Sequence, residues 1–342
     1  MKRILIILLL FILLFTGCAL GAPAAPAPVP ENSDGLTVHF IDVGQADCTL
    51  LLCDGQSMLI DGGNVEDSDL VVAYLQDLGL TKLNYVVNTH AHEDHVGGLP
   101  AVLAVYETEN LWCPVGEYDS KCFEDFLYYA DQQELELICP SPGDVYALGS
   151  TQITVLGPVK DDYDTNNSSI ILRADYGQTG FLFSGDAELE AETDVLDAGF
   201  DISCTVMKAG HHGSDTSNSY RWLREANPAY VVIPVGTGNS YGHPHEEALS
   251  RFRDADIIVY RTDLQGHIVC TSNGTDVTFE TGRYVAVTNP TEKTEQFIGN
   301  KNSKKFHLPT CGGLPEEQNR VLFSSYDEAE QAGYSPCGNC IG

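Results

Sequence analysis

Positive charge is scarce in this chain: 18 Lys and Arg stand against 49 Asp and Glu among 342 residues, a net charge of −31. That imbalance excludes a protein that holds nucleic acid through a generally basic surface, because such binding rests on neutralising phosphates. An anionic ligand needs a local site carrying its own positive charge, which bound metal ions can supply. Long apolar runs are scarce too. After Cys18 there is no stretch of about 20 apolar residues, the length a membrane-crossing helix requires, so a multispanning channel is excluded. No tandem repeat is visible. Wholesale disorder is excluded in turn, since 43% of residues are hydrophobic and only 20% are charged. At roughly 150 residues per domain the length suits about two domains, enough to bury a core without disulfides. Cysteine is the exception to scarcity. There are 11, an odd number, so they cannot all pair within one chain.

Met1-Lys2-Arg3 precedes an unbroken apolar run over residues 4–15. As a helix it would span about 18 Å, short of a hydrocarbon core of about 30 Å. A basic start, a short apolar stretch and small residues at its end read as a secretory signal over 1–17. Phe15-Thr16-Gly17-Cys18 resembles a bacterial lipobox, which implies lipidation of Cys18. The expectation is an exported protein, anchored by lipid to the extracytoplasmic face of the cell membrane. Loss of Lys2 and Arg3 would move the net charge from −31 to −33. Residues 18–35 are Ala/Pro-rich and read as an extended tether.

From Leu36 short apolar runs alternate with helical patterns. Strands are predicted at 37–43, 48–53, 57–61, 83–89, 152–157, 169–176, 180–186, 204–210, 229–235, 256–261, 266–271 and 276–281. Helices are predicted at 69–80, 97–105, 187–198, 217–226 and 245–253, and no element is placed between 106 and 151. The alternation predicts an α/β fold with sheets flanked by helices. The predicted units are a body over 36–287, a polar linker over 288–296 and a cysteine-bearing module over 297–342.

The strongest chemical signal is Asn88-Thr-His90-Ala-His92-Glu-Asp94-His95-Val-Gly-Gly98, with four potential metal ligands directly after an apolar strand. Imidazoles suit zinc, and the carboxylate also suits manganese. This pattern resembles the metallo-β-lactamase superfamily over residues 36–282. The resemblance implies an αββα sandwich with a site for two divalent metals, zinc or manganese, at one edge. His90 and His92 would bind one metal, Asp94 and His95 the other, and Asp186 would bridge them. One of His211 and His212 would complete the set, and the sequence does not choose between them. Two such cations about 3.5–4 Å apart can generate hydroxide at neutral pH and offset charge on a phosphoryl oxygen.

Residues 164–170 lack the histidine that the superfamily usually places there, which implies more oxygen or water around the first metal and disfavours β-lactamase activity. A series of motifs accompanies that departure: Phe40-Ile-Asp42-Val-Gly44-Gln45-Ala-Asp47, Leu59-Ile-Asp61-Gly-Gly63, Asn166-Asn-Ser-Ser169, Ser184-Gly-Asp-Ala-Glu188, Gly210-His-His-Gly-Ser214 and Tyr241-Gly-His243-Pro-His245. Together they resemble the soluble hydrolase domain of the ComEC competence proteins, which implies hydrolysis of phosphodiester bonds, with DNA as the expected substrate. Asn166, Asn167 and Ser214 are candidate substrate contacts. Asp94 and His243 are the candidate catalytic residues, and His243 could protonate a leaving oxygen or hold a phosphate. Asp42 and Asp61 could orient metal-binding histidines or simply end their strands.

The last segment pairs His307-x3-Cys311 with Cys337-x2-Cys340, the ligand grammar of a closed structural zinc site. It resembles the zinc-binding module of the Ada repair proteins, with His307 in place of the first cysteine; methyl-acceptor chemistry is not expected. Lys301, Lys304 and Lys305 form the one dense basic cluster after Cys18, and Lys304 and Lys305 are candidate phosphate contacts. The remaining cysteines are Cys48, Cys53, Cys113, Cys122, Cys139, Cys204 and Cys270, and the sequence assigns no pairs among them.

The expected function is therefore a surface-anchored, metal-dependent DNA nuclease. One alternative is a phosphodiesterase acting on teichoic-acid phosphorylcholine or small phosphodiesters. Another is a non-catalytic lipoprotein that captures DNA or cell-wall polymer through its tail. Oligomeric state is not legible.

Overall fold

The computed structural model describes residues 35–283, 297–309, 311–323 and 326–341. The predicted signal, the lipidation position Cys18, the tether up to residue 34 and the linker at 288–296 lie outside the described residues.

Two sheets stack face to face. The first runs in the order Val277–Thr281, Ile268–Ser272, Leu36–Phe40, Thr49–Cys53, Gln56–Ile60, Lys82–Val87, Glu107–Trp112 and Leu137–Ile138. The second runs Ile258–Arg261, Tyr230–Ile233, Val206–Lys208, Thr179–Phe183, Ile171–Tyr176, Thr151–Gly157 and Val145–Leu148. Side chains alternate across a strand, and the packing follows that period. Leu51 and Cys53 point between the sheets, with Phe40, Trp112, Phe181 and Phe183. Leu50 and Leu52 point outward, where Val71, Leu75, Phe123 and Phe126 cover them from helices Ser68–Asp77 and Lys121–Gln132. On the far side Trp222, Leu223 and Phe252 cover Met207 and Val231. The body is the expected αββα sandwich. Buried on both faces, its central strands read as unbroken apolar runs rather than alternating ones.

Between residues 106 and 151, where no element was predicted, the chain forms strands Glu107–Trp112, Leu137–Ile138 and Val145–Leu148 and the helix Lys121–Gln132. The helix had a legible signature. Ser120 caps it by accepting from the Phe123 amide, and Phe123, Phe126 and Ala130 lie at helical spacing on its buried face.

The tail forms a four-stranded sheet, ordered Arg320–Phe323, Phe297–Asn300, Lys305–His307 and Ser335–Pro336. Its small core of Phe297, Phe306, Phe323 and Tyr326 rests on Tyr220 of the body. Arg224 adds an ion pair to Glu330 and lies over the Tyr326 ring.

Candidate metal centres

The loops that carry the predicted ligands leave the same edge of the sandwich, after strands Lys82–Val87, Thr179–Phe183 and Val206–Lys208, beside the Asp61 loop that follows Gln56–Ile60. The first loop turns tightly onto its neighbour. A Cβ on Gly98 would sit 2.1 Å from the Gly62 carbonyl, and one on Gly97 would sit 2.4 Å from the Val65 amide nitrogen. Glycine at both positions brings the His92–His95 turn against Gly62.

Asp186 Oδ2 lies at the centre of the cluster. It is 3.9 Å from His90 Nε2, 3.3 Å from His95 Nε2, 3.6 Å from His211 Nε2 and 3.7 Å from His212 Nε2. His90 Nε2 and His92 Nδ1 are 3.0 Å apart, and His212 Nε2 is 3.3 Å from Asp94 Oδ2. Asp94, His95, Asp186 and His212 each contribute one donor atom within 4.8 Å of the others. Between the two adjacent histidines, the geometry thus places His212 in the four-donor group. His211 turns its Nδ1 to Glu188, at 3.2 Å. Both histidines hold left-handed backbone, φ 49° and 51°, a conformation that bulky residues adopt at a cost of about 1–3 kcal/mol each.

The donor set fits divalent cations. His95 Nε2, His212 Nε2, Asp186 Oδ1 and Asn166 Oδ1 are buried atoms with no hydrogen-bond partner in the protein, an expensive arrangement that a cation would relieve. Behind them the histidines are held from the other side. Asp61 Oδ2 accepts from His95 Nδ1 at 2.8 Å, and Asp61 also receives the Thr89 amide and hydroxyl. His212 Nδ1 faces Pro234 O at 3.1 Å and Asp47 Oδ1 at 3.3 Å. Of the two orienting candidates, Asp61 holds a site histidine, whereas Asp42 pairs with Arg283.

Sequence reasoning gave no role to Asp47 or Lys208. Both are buried, with Lys208 Nζ 2.5 Å from Asp47 Oδ2 and donating to the carbonyls of Gly185 and Ala209. Asp47, Asp61 and His95 also converge, but there the Lys208 ammonium already fills the cation position. The available signal was proximity: Asp47 ends the first quoted motif, and Lys208 lies two residues before Gly210. Lys208→Met is expected to cost about 3–5 kcal/mol by leaving Asp47 charged in the interior without its ammonium. A lowered denaturant midpoint, partly restored by adding Asp47→Asn, checks this.

Burial acts to lower the His212 pKa, but Asp186 and Asp47 outweigh it and lift it to about 10. His95 is likewise raised, against its burial, by Asp186, Asp61 and Asp94. The converse holds for Asp186: burial would raise it, and His95 and His212 depress it well below the usual carboxylate range. A raised histidine stabilises the fold fully below its unfolded pKa of about 6.5, and that stability is lost as pH climbs through the folded value. Chelator-stripped protein is therefore expected to melt lower as pH rises from about 6 to about 9. A bound cation needs the neutral imidazole, so stabilisation by added metal should grow over the same interval. Paired thermal melts with and without chelator check both slopes.

A cavity of about 340 Å³ opens over the cluster, lined by Gln45, His92, Asp94, Asn166, His211 and His243 among others. Asn166 donates to Glu188. Asn167, expected as a substrate contact, ties the turn to the next helix: its Oδ1 accepts from the Glu188 and Ala191 amides at the start of helix Leu189–Asp197 and its Nδ2 donates to Asp164. Ser214 is buried against Thr216 and does not line this cavity. Neither Lys304 nor Lys305 lines it, and the Lys304 ammonium lies 4.5 Å from the centre of the Tyr334 ring in the tail. Gln45, Glu93 and Tyr241 line it without having been predicted.

His243 is held to a pKa of about 4, chiefly by burial and then by His212, His211 and His245. A histidine so depressed is neutral at pH 7, so the expected delivery of a proton from imidazolium is not supported. The Gln45 amide is oriented by the Gly236 amide donating to its Oε1, which turns Nε2 toward His243 Nδ1 at 3.3 Å. His243 thus carries its hydrogen on Nε2 and remains a donor.

In the tail, His307, Cys311, Cys337 and Cys340 place their ligand atoms within 4.8 Å of one another. The predicted quartet converges as the spacing implied.

A model of the Metallo-beta-lactamase superfamily matches residues 41–255, and a model of the Metal binding domain of Ada matches residues 282–341. ComE operon protein 3 of Bacillus subtilis (strain 168) is 30% identical over 256 residues, covering 69% of this chain and 33% of that protein. Competence protein ComA of Neisseria gonorrhoeae is 29% identical over 249 residues, covering 70% of this chain and 33% of that protein. The chain spans about a third of the length of the curated relatives it matches. Among solved structures, the metallo-beta-lactamase fold protein YhfI from Bacillus subtilis is 14% identical, with a TM-score of 0.48, over 70% of this chain and 100% of that one.

Proposed function

Because the chain belongs to the metallo-beta-lactamase superfamily, we propose that its hydrolase site cleaves phosphodiester bonds and that its substrate is DNA. The observation that carries this reading is the convergence of Asp94, His95, Asp186 and His212 on one point, in a chain similar to competence proteins. In the proposal His90 and His92 hold one divalent cation, Asp94, His95 and His212 hold a second, and Asp186 lies between them. Such cations would lower the pKa of a water and offset charge on a phosphoryl oxygen, letting an acidic chain accept an anion locally.

The protein's own groups supply the rest. The ionised Asp94 carboxylate, half-buried at the cavity wall, can accept a hydrogen bond from an attacking water and orient it. Neutral His243 donates from Nε2 to a phosphate oxygen, the second of its two expected roles. Tyr241 is 67% exposed and stacks on His243, giving a platform on which a base can lie. Export and anchoring through Cys18 belong to the same proposal and rest on the sequence of the first 18 residues.

A specific feature favours a second reading. A larger cleft of about 970 Å³ adjoins Glu188 and is lined by Asp164, Glu188, Glu190, Asp215 and Glu247, with Arg251 the one basic side chain. Such a wall repels a long polyanion and suits a phosphodiester bearing a cation, such as a phosphorylcholine ester of teichoic acid.

Incubating the protein with manganese or zinc and single- or double-stranded DNA, alongside small phosphodiesters, separates the readings. Metal-dependent DNA cleavage lost in Asp94→Ala and His95→Ala supports the nuclease. Turnover of small esters alone supports the second reading. DNA that is shifted but uncut, in a manner dependent on Lys304 and Lys305, would instead support capture by the tail.

A further inference from the structure

We propose that Cys113 and Cys139 form a disulfide in oxidising surroundings, a covalent staple at the edge of the first sheet. Strands Glu107–Trp112 and Leu137–Ile138 run parallel, with Trp112 opposite Ile138. One residue on, the Cys113 amide donates to Ile138 O at 2.9 Å. That bond completes the Trp112–Ile138 pair of the parallel ladder, and the same register carried one residue on sets Cys113 opposite Cys139. Opposed residues of neighbouring strands point to the same face, with the strands about 4.7–4.9 Å apart. That spacing falls within the roughly 4.4–6.8 Å between Cα atoms that a disulfide spans. No other strand register among the described residues sets two cysteines opposite each other.

The two thiols differ in a useful way: Cys139 is exposed and Cys113 is buried. The Cys139 thiolate can attack an external disulfide such as oxidised glutathione, giving a mixed disulfide and one glutathione thiol. Cys113 then attacks Cys139 Sγ and expels the second glutathione thiol. The protein loses two protons and two electrons, and one S–S bond replaces another. Burial pushes the Cys113 thiol up to about 12, so the second step is slow at neutral pH and accelerates as pH rises.

The staple closes the excursion that walls the metal loop. Within it the Tyr118 ring packs 6.1 Å from the His92 ring, and helix Lys121–Gln132 packs on helices Glu93–Val96 and Leu99–Val105. Closing this loop constrains the unfolded chain and holds a two-residue edge strand in register.

The test is independent of any substrate. Full-length, zinc-loaded protein is incubated with oxidised glutathione, alkylated, digested and mapped by mass spectrometry, with zinc content followed to report the tail thiols. The expected product is a Cys113–Cys139 cross-linked peptide two hydrogens lighter than the reduced pair. Its formation should raise the melting temperature by roughly 5–10 °C, reversed by dithiothreitol and absent in Cys139→Ser. Cys139→Ser should otherwise melt like reduced wild type. Recovery of both residues alkylated, of Cys139 held as a lasting glutathione adduct, or of either paired with another cysteine would overturn the proposal.

Discussion

Asp186→Asn is expected to lower kcat/KM on whatever ester the site hydrolyses by about 10³-fold or more, with little change in fold. The carboxylate is buried and its Oδ2 faces His90, His95, His211 and His212. Asparagine keeps the shape but removes the negative charge that two cations would share, and a metal typically provides several kcal/mol of transition-state stabilisation. Two further readouts separate loss of the metal site from a general structural defect. Bound metal per chain should fall. In chelator-stripped protein the His212 pKa should drop, because Asp186 is one of the carboxylates that lift it against burial. Asp42→Asn is the matched control: that carboxylate pairs with Arg283 and should leave activity within about twofold. Near-normal turnover and metal content in Asp186→Asn would refute the central position assigned to it.

The ease with which this site was read from the sequence has a physical cause. A metal centre needs rare residue types close together, and His90, His92, Asp94 and His95 come from one turn after one strand. The sandwich was legible for a related reason: fully buried central strands are continuous apolar runs. What stayed hidden depends on long-range packing. Asp47, in the loop before strand Thr49–Cys53 of the first sheet, meets Lys208 at the end of a strand of the second, and neither residue's own neighbours name the other. The choice between His211 and His212 turns on backbone at φ 49° and 51°, which turns both rings toward Asp186 but gives their Nδ1 atoms different partners, Glu188 and Asp47. Asn167 stood in the Asn166-Asn-Ser-Ser169 motif as a candidate contact, yet its side chain bonds the Asp164 turn and the amides at the start of helix Leu189–Asp197. His243 lines the cavity, but its charge depends on burial and on His212 and His211, which only the fold brings to it.

Cys337→Ser is expected to remove about one zinc per chain and to unfold residues 297–341 while leaving the sandwich intact. The tail is too small to bury a large core; among its described residues the apolar cluster is little more than Phe297, Phe306, Leu308, Phe323, Tyr326, Tyr334 and Ile341. Zinc affinities of about 10–16 kcal/mol in comparable small modules act as folding free energy, far above what a few aromatic contacts supply. The ligand pairs are also where the strands are tied: the Cys337 amide donates to Phe306 O, and His307 continues that strand. Burial pushes the Cys340 thiol up to about 12, so without a cation that thiol stays protonated and cannot replace the metal's bonding. Hydrogen exchange read by mass spectrometry should show protection lost across the tail and reduced at Tyr220, whose ring stacks on Tyr326, but retained in Thr179–Phe183 and Lys82–Val87. Protection that survives in the tail after zinc is gone would mean that the contacts of Tyr220 and Arg224 with the body hold it folded. Loss of protection in both parts together would mean that the tail supports the sandwich, a coupling the separate cores of the two argue against.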